Sequence, residues 1–366
     1  MNGYPALWAA ASWCLLVFIA AASPTKEQAG SSVPTIANPK QPRPVPGRPC
    51  RPVFSDEIII GGGDDPQTTL STLAGAAIAK DGSVFLLDMT DCRVLAFTAA
   101  GKFLRSFGRR GQGPGEFEWP LMIRLSPADE ILVEDITRRS VFAFSSDGRF
   151  LRSISTAVGL GLMNLTVDAT GGFVAQQVSN ESSDLLNLLR KFDATMKPGP
   201  ILESRVSIDP RTKKMKPGAL FWYVIDAQGR IYVPDAADCV LRVYSPEGKL
   251  DHRITREFDP VKSPPEEQKN PKGLPGGVQI VIESPKYVPA IRDCLLDESG
   301  RLFVNVQEKE IRKGTSVIDI FDPEGRYIAR TVLPGRPVAW KNGRVYLIDE
   351  DENGYQILRS RRVDWR

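Results

Sequence analysis

The sequence predicts an all-β fold, a six-bladed β-propeller of four-stranded antiparallel blades, and a recurring spacing is the main reason. In four places an acid follows a tight-turn residue by six positions, across a short apolar run. These pairs are Gly82 and Asp88, Asp129 and Asp135, Gly229 and Asp235, and Gly343 and Asp349. In three copies a glycine lies thirteen residues after the acid, at Gly101, Gly148 and Gly248. Such a repeat is too long for one hairpin and fits one blade, which buries its faces only by stacking on neighbouring blades.

Five of the six units contain two neighbouring apolar runs, which we interpret as the central strands of a blade. The runs are residues 84–87 and 93–97, 130–133 and 140–144, 230–233 and 241–244, 301–304 and 317–321, and 344–348 and 356–358. Dipeptides such as Asp81-Gly82 and Asp147-Gly148 supply the turns between strands. Blade three, over residues 164–202, is degraded, because Gln177 occupies the position of the acid.

The last blade lacks an outer strand, because the chain nearly ends after residues 356–358. Residues 57–60, a glutamate followed by three isoleucines, lie ahead of blade one and have no partner in that blade. We therefore predict that this N-terminal strand closes the ring against blade six. Closure of this kind removes the exposed strand edges that would otherwise promote aggregation.

The N-terminal region predicts export from the cytoplasm. Residues 1–22 carry no charged side chain and end in Ala20-Ala21-Ala22, which fits a signal peptide and its cleavage site. An uncleaved membrane anchor is the alternative, and membrane contact is expected only in that case. Residues 23–54 contain eight prolines and predict an extended tether. The propeller is expected over residues 55–366, in a secreted or periplasmic protein.

Composition and cysteine positions narrow the expected partners and the redox chemistry. With 47 basic and 44 acidic residues, the net charge of +3 predicts no general attraction to nucleic acid. Outside the signal the cysteines are Cys50, Cys92, Cys239 and Cys294. Cys92 and Cys239 each follow a repeated acid by four residues, so they would lie in opposite blades, beyond the ~7 Å Cα limit for a disulfide. We predict that all four are free and packed as small hydrophobic residues.

One segment resembles a known family. Residues 103–117, with Pro120 just beyond, resemble the "fGxxGxGPGEFxxP" segment that links consecutive blades in NHL-repeat propellers. Residues 86–88 and 92–97 are similar to the "VaDxxNxRIqvF" core of the same family, with Cys92 where a polar residue is more common. Together with the signal, these features look most like the exported bacterial six-bladed propeller proteins. That group implies the fold and no defined activity.

Motifs that suggest chemistry have simpler structural interpretations. The glycine run over residues 108–115 lacks the Lys-Ser/Thr of a phosphate-binding loop, and we interpret it as a turn. The repeated acids are expected to accept hydrogen bonds from nearby backbone N–H groups. His252 is the only histidine, whereas the zinc-dependent peptide-amidating lyases among NHL-like propellers use several. A Ser-His-Asp triad also lacks its G-x-S-x-G elbow. No catalytic or metal-ligating residue is therefore assigned.

Five polar residues are candidate ligand-binding groups in the central channel. Each precedes the first turn of its blade by about five to eight residues, which places it on or near an innermost strand: Arg124, Asn164, Tyr223, Arg292 and Asp293. Polar groups at such positions line the usual pocket of a propeller. The alternative is that they only solvate a water-filled channel. A proline-rich segment over residues 256–289 is expected to form a loop over one face.

The sequence favours a non-catalytic binding or scaffolding module, monomeric and without a cofactor. Its expected partner is an extracellular or periplasmic protein, peptide or glycan. The alternative is a metal-assisted hydrolase or lyase that acts in the central channel. Lactonases of similar shape hold a hard cation through Glu, Asn and Asp, and such oxygen ligands suit Ca²⁺.

The two hypotheses make different predictions about calcium. Because an ion that binds the native state must stabilise it, the lactonase-like alternative requires a higher melting temperature with excess calcium than with chelator. The binding-module hypothesis predicts equal melting temperatures for the mature domain in the two conditions, measured by scanning calorimetry. A rise of several degrees with calcium would contradict it.

Overall fold

The computed structural model describes residues 33–366, except residues 63–64, 181–184, 209–213, 217, 236–237, 264–284, 310 and 313. The expected signal peptide over residues 1–22 and most of the expected loop over residues 256–289 lie outside the described residues. Every regular element in the described part is a β-strand. Within that part, no helix has the length and apolar character needed to cross a membrane.

Two strands precede the blades, namely β1 (Thr35–Asn38) and β2 (Pro52–Ile60). Blade one contains β3 (Leu73–Ile78), β4 (Val84–Asp88), β5 (Arg93–Phe97) and β6 (Phe103–Phe107). Blade two contains β7 (Pro120–Leu125), β8 (Ile131–Asp135), β9 (Ser140–Phe144) and β10 (Phe150–Ser155). Blade three contains β11 (Leu162–Val167), β12 (Phe173–Ser179), β13 (Leu185–Phe192) and β14 (Pro198–Ile208).

The remaining three blades repeat this order. Blade four contains β15 (Val224–Ile225), β16 (Ile231–Pro234), β17 (Val240–Tyr244) and β18 (Leu250–Arg256). Blade five contains β19 (Ile291–Leu296), β20 (Leu302–Val306), β21 (Thr315–Phe321) and β22 (Tyr327–Pro334). Blade six contains β23 (Arg336–Lys341), β24 (Arg344–Glu350) and β25 (Gln356–Trp365), and β2 is its fourth strand. The predicted six-bladed propeller is therefore confirmed.

The N-terminal strand closes the ring, as the sequence predicts. β2 pairs with β25 in antiparallel register, from Pro52 opposite Trp365 to Ile60 opposite Leu358. Glu57 on the closing strand accepts a hydrogen bond of 2.9 Å from Arg359, whose Nε also lies 2.7 Å from the Asp349 carboxylate. Blade six thus receives its outer strand from the opposite end of the described chain.

The tether prediction needs correction over residues 33–51, a segment that we call the strap. β1 pairs in parallel with β18, the outer strand of blade four, and Pro34 and Pro39 flank this short strand without interrupting it. The Asn38 side chain donates to the Gly325 carbonyl (3.0 Å) and accepts from the Tyr327 N–H (2.7 Å). The described part of the expected tether is therefore packed along blades four and five.

A buried ionic cluster joins blades four and five. The Asp319 carboxylate is fully buried and lies 2.8 Å from Nε of Arg256 at the end of β18. Arg330 approaches the same carboxylate to 2.7 Å, and the Tyr327 hydroxyl donates to it at 2.7 Å. Two cations and a hydroxyl thereby compensate the desolvation of one buried anion.

The four cysteines in the described ranges, one in the strap and three in the blades, are buried free thiols, as predicted. Cys92 is fully buried between blades one and two, and Cys294 packs in the core between blades four and five. Burial raises the pKa of the Cys294 thiol above its ordinary value, which keeps this thiol protonated and unreactive.

The recurring glycines are explained by contacts between blades. Gly148 lies in the turn between β9 and β10, with a positive φ of 85°. A Cβ at this position would lie 2.6 Å from Cδ1 of Phe107, on the outer strand of the preceding blade. Gly171 in blade three has a similar φ of 82° but open space around the position of a Cβ.

This pair of glycines separates backbone strain from steric conflict. Gly171→Ala should lose about 1–2 kcal/mol of unfolding free energy, the cost of the left-handed conformation alone. Gly148→Ala should lose roughly 2–4 kcal/mol, because overpacking against Phe107 is added. Equilibrium urea unfolding measures both losses. Equal losses in the two variants would show that the contact with Phe107 adds nothing.

Candidate functional site

The innermost strand of each blade faces the central axis of the ring. These strands are β3, β7, β11, β15, β19 and β23, and each is an edge strand of its sheet. β3 contacts both β7 and β23, and β19 contacts both β15 and β23. The inner strands of neighbouring blades therefore meet around the axis and form the wall of the channel.

Three of the five predicted residues meet in one polar cluster that joins blades two, three and four. Arg124 on β7 donates from Nη2 to Oδ1 of Asn164 on β11 (2.5 Å). Tyr223 lies just before β15, and its hydroxyl donates to the carbonyl oxygens of Asn164 and Val174, the latter at 2.7 Å. Asn164 and Tyr223 are both buried, and burial raises the pKa of the Tyr223 hydroxyl. These two side chains are therefore committed to structural hydrogen bonds.

Glu134 on β8 completes this cluster and was missed by the sequence analysis. Its two carboxylate oxygens accept the backbone N–H groups of Asn164 (2.8 Å) and Leu165 (3.0 Å). Those N–H groups do not pair with β12, because the register between β11 and β12 shifts between Met163 and Thr166. Asn164, within this irregularity, has a left-handed φ of 57°. Burial raises the pKa of the Glu134 carboxyl, and the nearby Arg124 guanidinium opposes that rise. An asparagine, one of the non-glycine residues that adopt this conformation most often, was the available sequence signal.

The cluster also holds the segment that leads into blade four. Phe221 donates its N–H to Oε1 of Gln176 (2.8 Å), and its carbonyl accepts from Nδ2 of Asn164 (2.7 Å). The Arg205 guanidinium lies 4.1 Å from the centroid of the Phe221 ring. Between these anchors the chain alternates, so that Leu220 and Trp222 are 42% and 52% exposed whereas Phe221 is buried. Trp222 is thus displayed by a firmly held backbone.

Other exposed apolar side chains share this face of the ring. Leu160 and Tyr287 lie, like Trp222, in connections from the outer strand of one blade to the inner strand of the next. In an antiparallel blade all such connections leave from the same edge, and we call this side of the ring the connecting face. The other large exposed hydrophobic residues in the described ranges all lie on outer strands: Ile59, Leu104, Ile201 and Val332.

Arg292 and Asp293 do not join the first cluster. Both lie on β19 in blade five, where Arg292 is exposed and donates from Nε to Gln307 (2.7 Å). Asp293 is partly buried, and its Oδ2 accepts a hydrogen bond from Nδ2 of Asn305 (3.3 Å). Burial raises the pKa of the Asp293 carboxyl, whereas the Asn305 hydrogen bond and the charges of Arg336 and Arg292 act in the opposite direction. A role in ligand binding for the five residues stays a prediction.

The repeated acids have structural roles. Asp88 accepts the N–H groups of Ser71 (3.1 Å) and Thr72 (3.2 Å), and Asp135 binds the corresponding connection in blade two. Asp235 and Asp349 instead form ion pairs with arginines of the next strand, at 2.6 and 2.7 Å. Across the described ranges, no three His, Cys, Asp or Glu side chains come together as a metal site requires. His252 lies on the outer strand β18, 2.9 Å from Asp251.

No family model matches the sequence, and no curated protein matches it either. Among solved structures, the chain is similar to a candidate exported protein of Bacteroides fragilis, with a TM-score of 0.58 and 12% identity over 90% of this chain and 99% of that one. A member of the DUF4221 family from Bacteroides vulgatus gives a TM-score of 0.54 and 12% identity over 86% and 99% of the two chains. A gluconolactonase of Xanthomonas campestris gives 0.47 and 12% identity over 85% and 99%. The sheet topology, together with the likeness to the two Bacteroides structures, shows that the protein has the fold of a six-bladed β-propeller.

The structural role of Tyr223 is open to a direct test. Tyr223→Phe leaves two buried carbonyl oxygens without their shared donor and should lose about 1–3 kcal/mol of unfolding free energy. Tyr355→Phe is the matched control, since the Tyr355 hydroxyl makes no hydrogen bond to any other described residue. Urea unfolding of the two variants beside the wild type measures the difference. Similar stabilities for both variants would refute the proposed anchoring.

Proposed function

We propose that this protein is an exported, non-catalytic binding module that captures a protein or peptide segment on its connecting face. The observation that carries the proposal is the display of Leu220 and Trp222 on a backbone held by buried side chains. The resemblance to exported NHL-like propellers supports the same proposal, and so does the uncharged segment over residues 1–22.

The physical argument concerns solvation and preorganisation. A large apolar side chain left in water gains free energy when a partner covers it, and tryptophan is the residue most often found at the energetic centre of an interface. Because Asn164 and Gln176 already hold the backbone of this segment, little conformational entropy is lost when a partner binds. Leu160 and Tyr287, from the neighbouring connections, extend the apolar area of the same face.

The remaining features of the proposal follow from the sequence. We infer that the protein works as a monomer outside the cytoplasm. A nucleic-acid partner is not expected, since the protein's 47 basic and 44 acidic residues nearly balance. A glycan is the second partner class expected from the sequence. It is therefore included in the test.

The test uses a synthetic library of hexapeptides with free carboxyl ends and, in parallel, a glycan array. Affinity selection with mass spectrometry identifies the peptides that the wild-type protein retains. Trp222→Ala should weaken the binding of retained peptides by roughly thirtyfold or more, as expected for a central interface residue. Leu220→Ala should weaken it less.

Ile201→Ala is the matched control, because Ile201 is 50% exposed and lies on an outer strand away from the connecting face. This variant should bind the peptides as the wild type does. Equal binding by the Trp222→Ala variant would overturn the assignment of the site. Binding on the glycan array alone would replace the peptide by a glycan.

A further inference from the structure

The inner strands that form the channel wall carry an excess of positive charge, whereas the charges of the whole chain nearly balance. All residues of the six inner strands lie within the described ranges, and their charged members are Arg124, Arg292, Arg336, Lys341 and a single acid, Asp293. Glu134 on β8 lies beside Arg124, but even with this acid the four cations outnumber the two anions, in contrast with the near balance of 47 and 44 over the full sequence. The channel therefore has a positive wall that favours an anionic ligand.

The single carboxylate does not neutralise this wall at its surface. Asp293 is partly buried, with its Oδ1 atom out of contact with solvent, and its Oδ2 accepts a hydrogen bond from Asn305, which is 3% exposed. The neighbouring guanidinium groups are more accessible, since Arg292 and Arg336 are both exposed. The electrostatic character of the surface is therefore set by the arginines.

Among the residues that the structure describes, both arginines keep hydrogen-bond donors without a partner. A guanidinium has five N–H groups, and Arg292 uses its Nε on Gln307. The Arg336 side chain makes no hydrogen bond with any other residue that the structure describes. Paired guanidinium groups of this kind recognise a carboxylate through short, charge-assisted hydrogen bonds.

Topology places these groups beside the proposed docking residue. Trp222 lies just before β15, Arg292 is the second residue of β19, and Arg336 is the first residue of β23. These are the inner strands of three consecutive blades, and β19 contacts both of the others. All three strands begin at the connecting face, so these three residues lie at the same end of neighbouring inner strands, at the channel mouth.

We propose that the captured segment is the C-terminal end of a peptide, whose terminal carboxylate binds between Arg292 and Arg336 while a preceding apolar side chain packs on Trp222. This inference rests on the proposed function and specifies the chemistry of the partner. A chain end enters a channel mouth end-on, whereas an internal acidic residue requires the chain to pass across the mouth. The positive wall behind the two arginines continues to attract the carboxylate.

The experiment compares three forms of one peptide selected from the library. They are the free acid, the C-terminal amide, and an amide that ends in an added aspartate, with affinities measured by fluorescence polarisation. The wild-type protein should bind the free acid about tenfold to a hundredfold more tightly than the amide, as expected for charge-assisted hydrogen bonds. Added salt should weaken the binding of the free acid more than the binding of the amide.

Variants connect that preference to the two arginines. Arg336→Ala and Arg292→Ala should each lower the ratio of acid to amide affinity by about tenfold or more, with unchanged melting temperatures, because both side chains are exposed. Arg51→Ala is the control, since Arg51 is an exposed arginine of the strap, outside the channel. This variant should keep the wild-type ratio.

Each outcome decides a separate point. Equal affinities of acid and amide for the wild type would overturn the carboxylate inference and leave the peptide-binding function intact. If the amide with the added aspartate binds as tightly as the free acid, the recognised carboxylate can belong to a side chain, and the chain-end assignment is overturned. Retention of no peptide at all would overturn the proposed function, and this inference with it.

Discussion

The pairing of β2 with β25 is the interaction on which the rest of the structure depends. A blade buries its two faces only against its neighbours, so an open ring would expose one face of blade one and one face of blade six. Closure by an N-terminal strand also brings Ile58 and Ile60 against Gly101 of blade one. The inner strands then meet around one axis, which creates the channel and the common connecting face.

Buried polar side chains determine how neighbouring blades are joined. Glu134 and Gln176, each on the second strand of its blade, accept N–H groups from the following blade or its connection. Between blades four and five, Asp319 has the same role through Arg256. Such groups add little net stability, but an unpaired buried charge is very unfavourable, and this penalty selects one relative position of the blades.

The candidate site contains two kinds of residues, and the hydrogen bonds distinguish them. Asn164 and Tyr223 are buried and satisfied by protein groups, so they hold the backbone that displays Trp222. Arg292 and Arg336 are exposed, and both keep guanidinium N–H groups that bind no other group in the described ranges. The placement of these residues on or near an inner strand could be inferred from the sequence, because it follows from the number of residues that separate each one from the first turn of its blade. The division between supporting and accessible groups could not, since it depends on which side chains face a neighbouring blade.

The sequence by itself determined the number of blades, the closing strand, the free cysteines and the structural use of Asp88 and Asp135, because each follows from local spacing and a period that repeats along the chain. Only the tertiary structure decided the role of Glu134, the packing of the strap and the exposure of Trp222. Each of these depends on groups that are distant in sequence, and their contacts arise from the twist and stacking of blades. Local periodicity contains no information about such contacts.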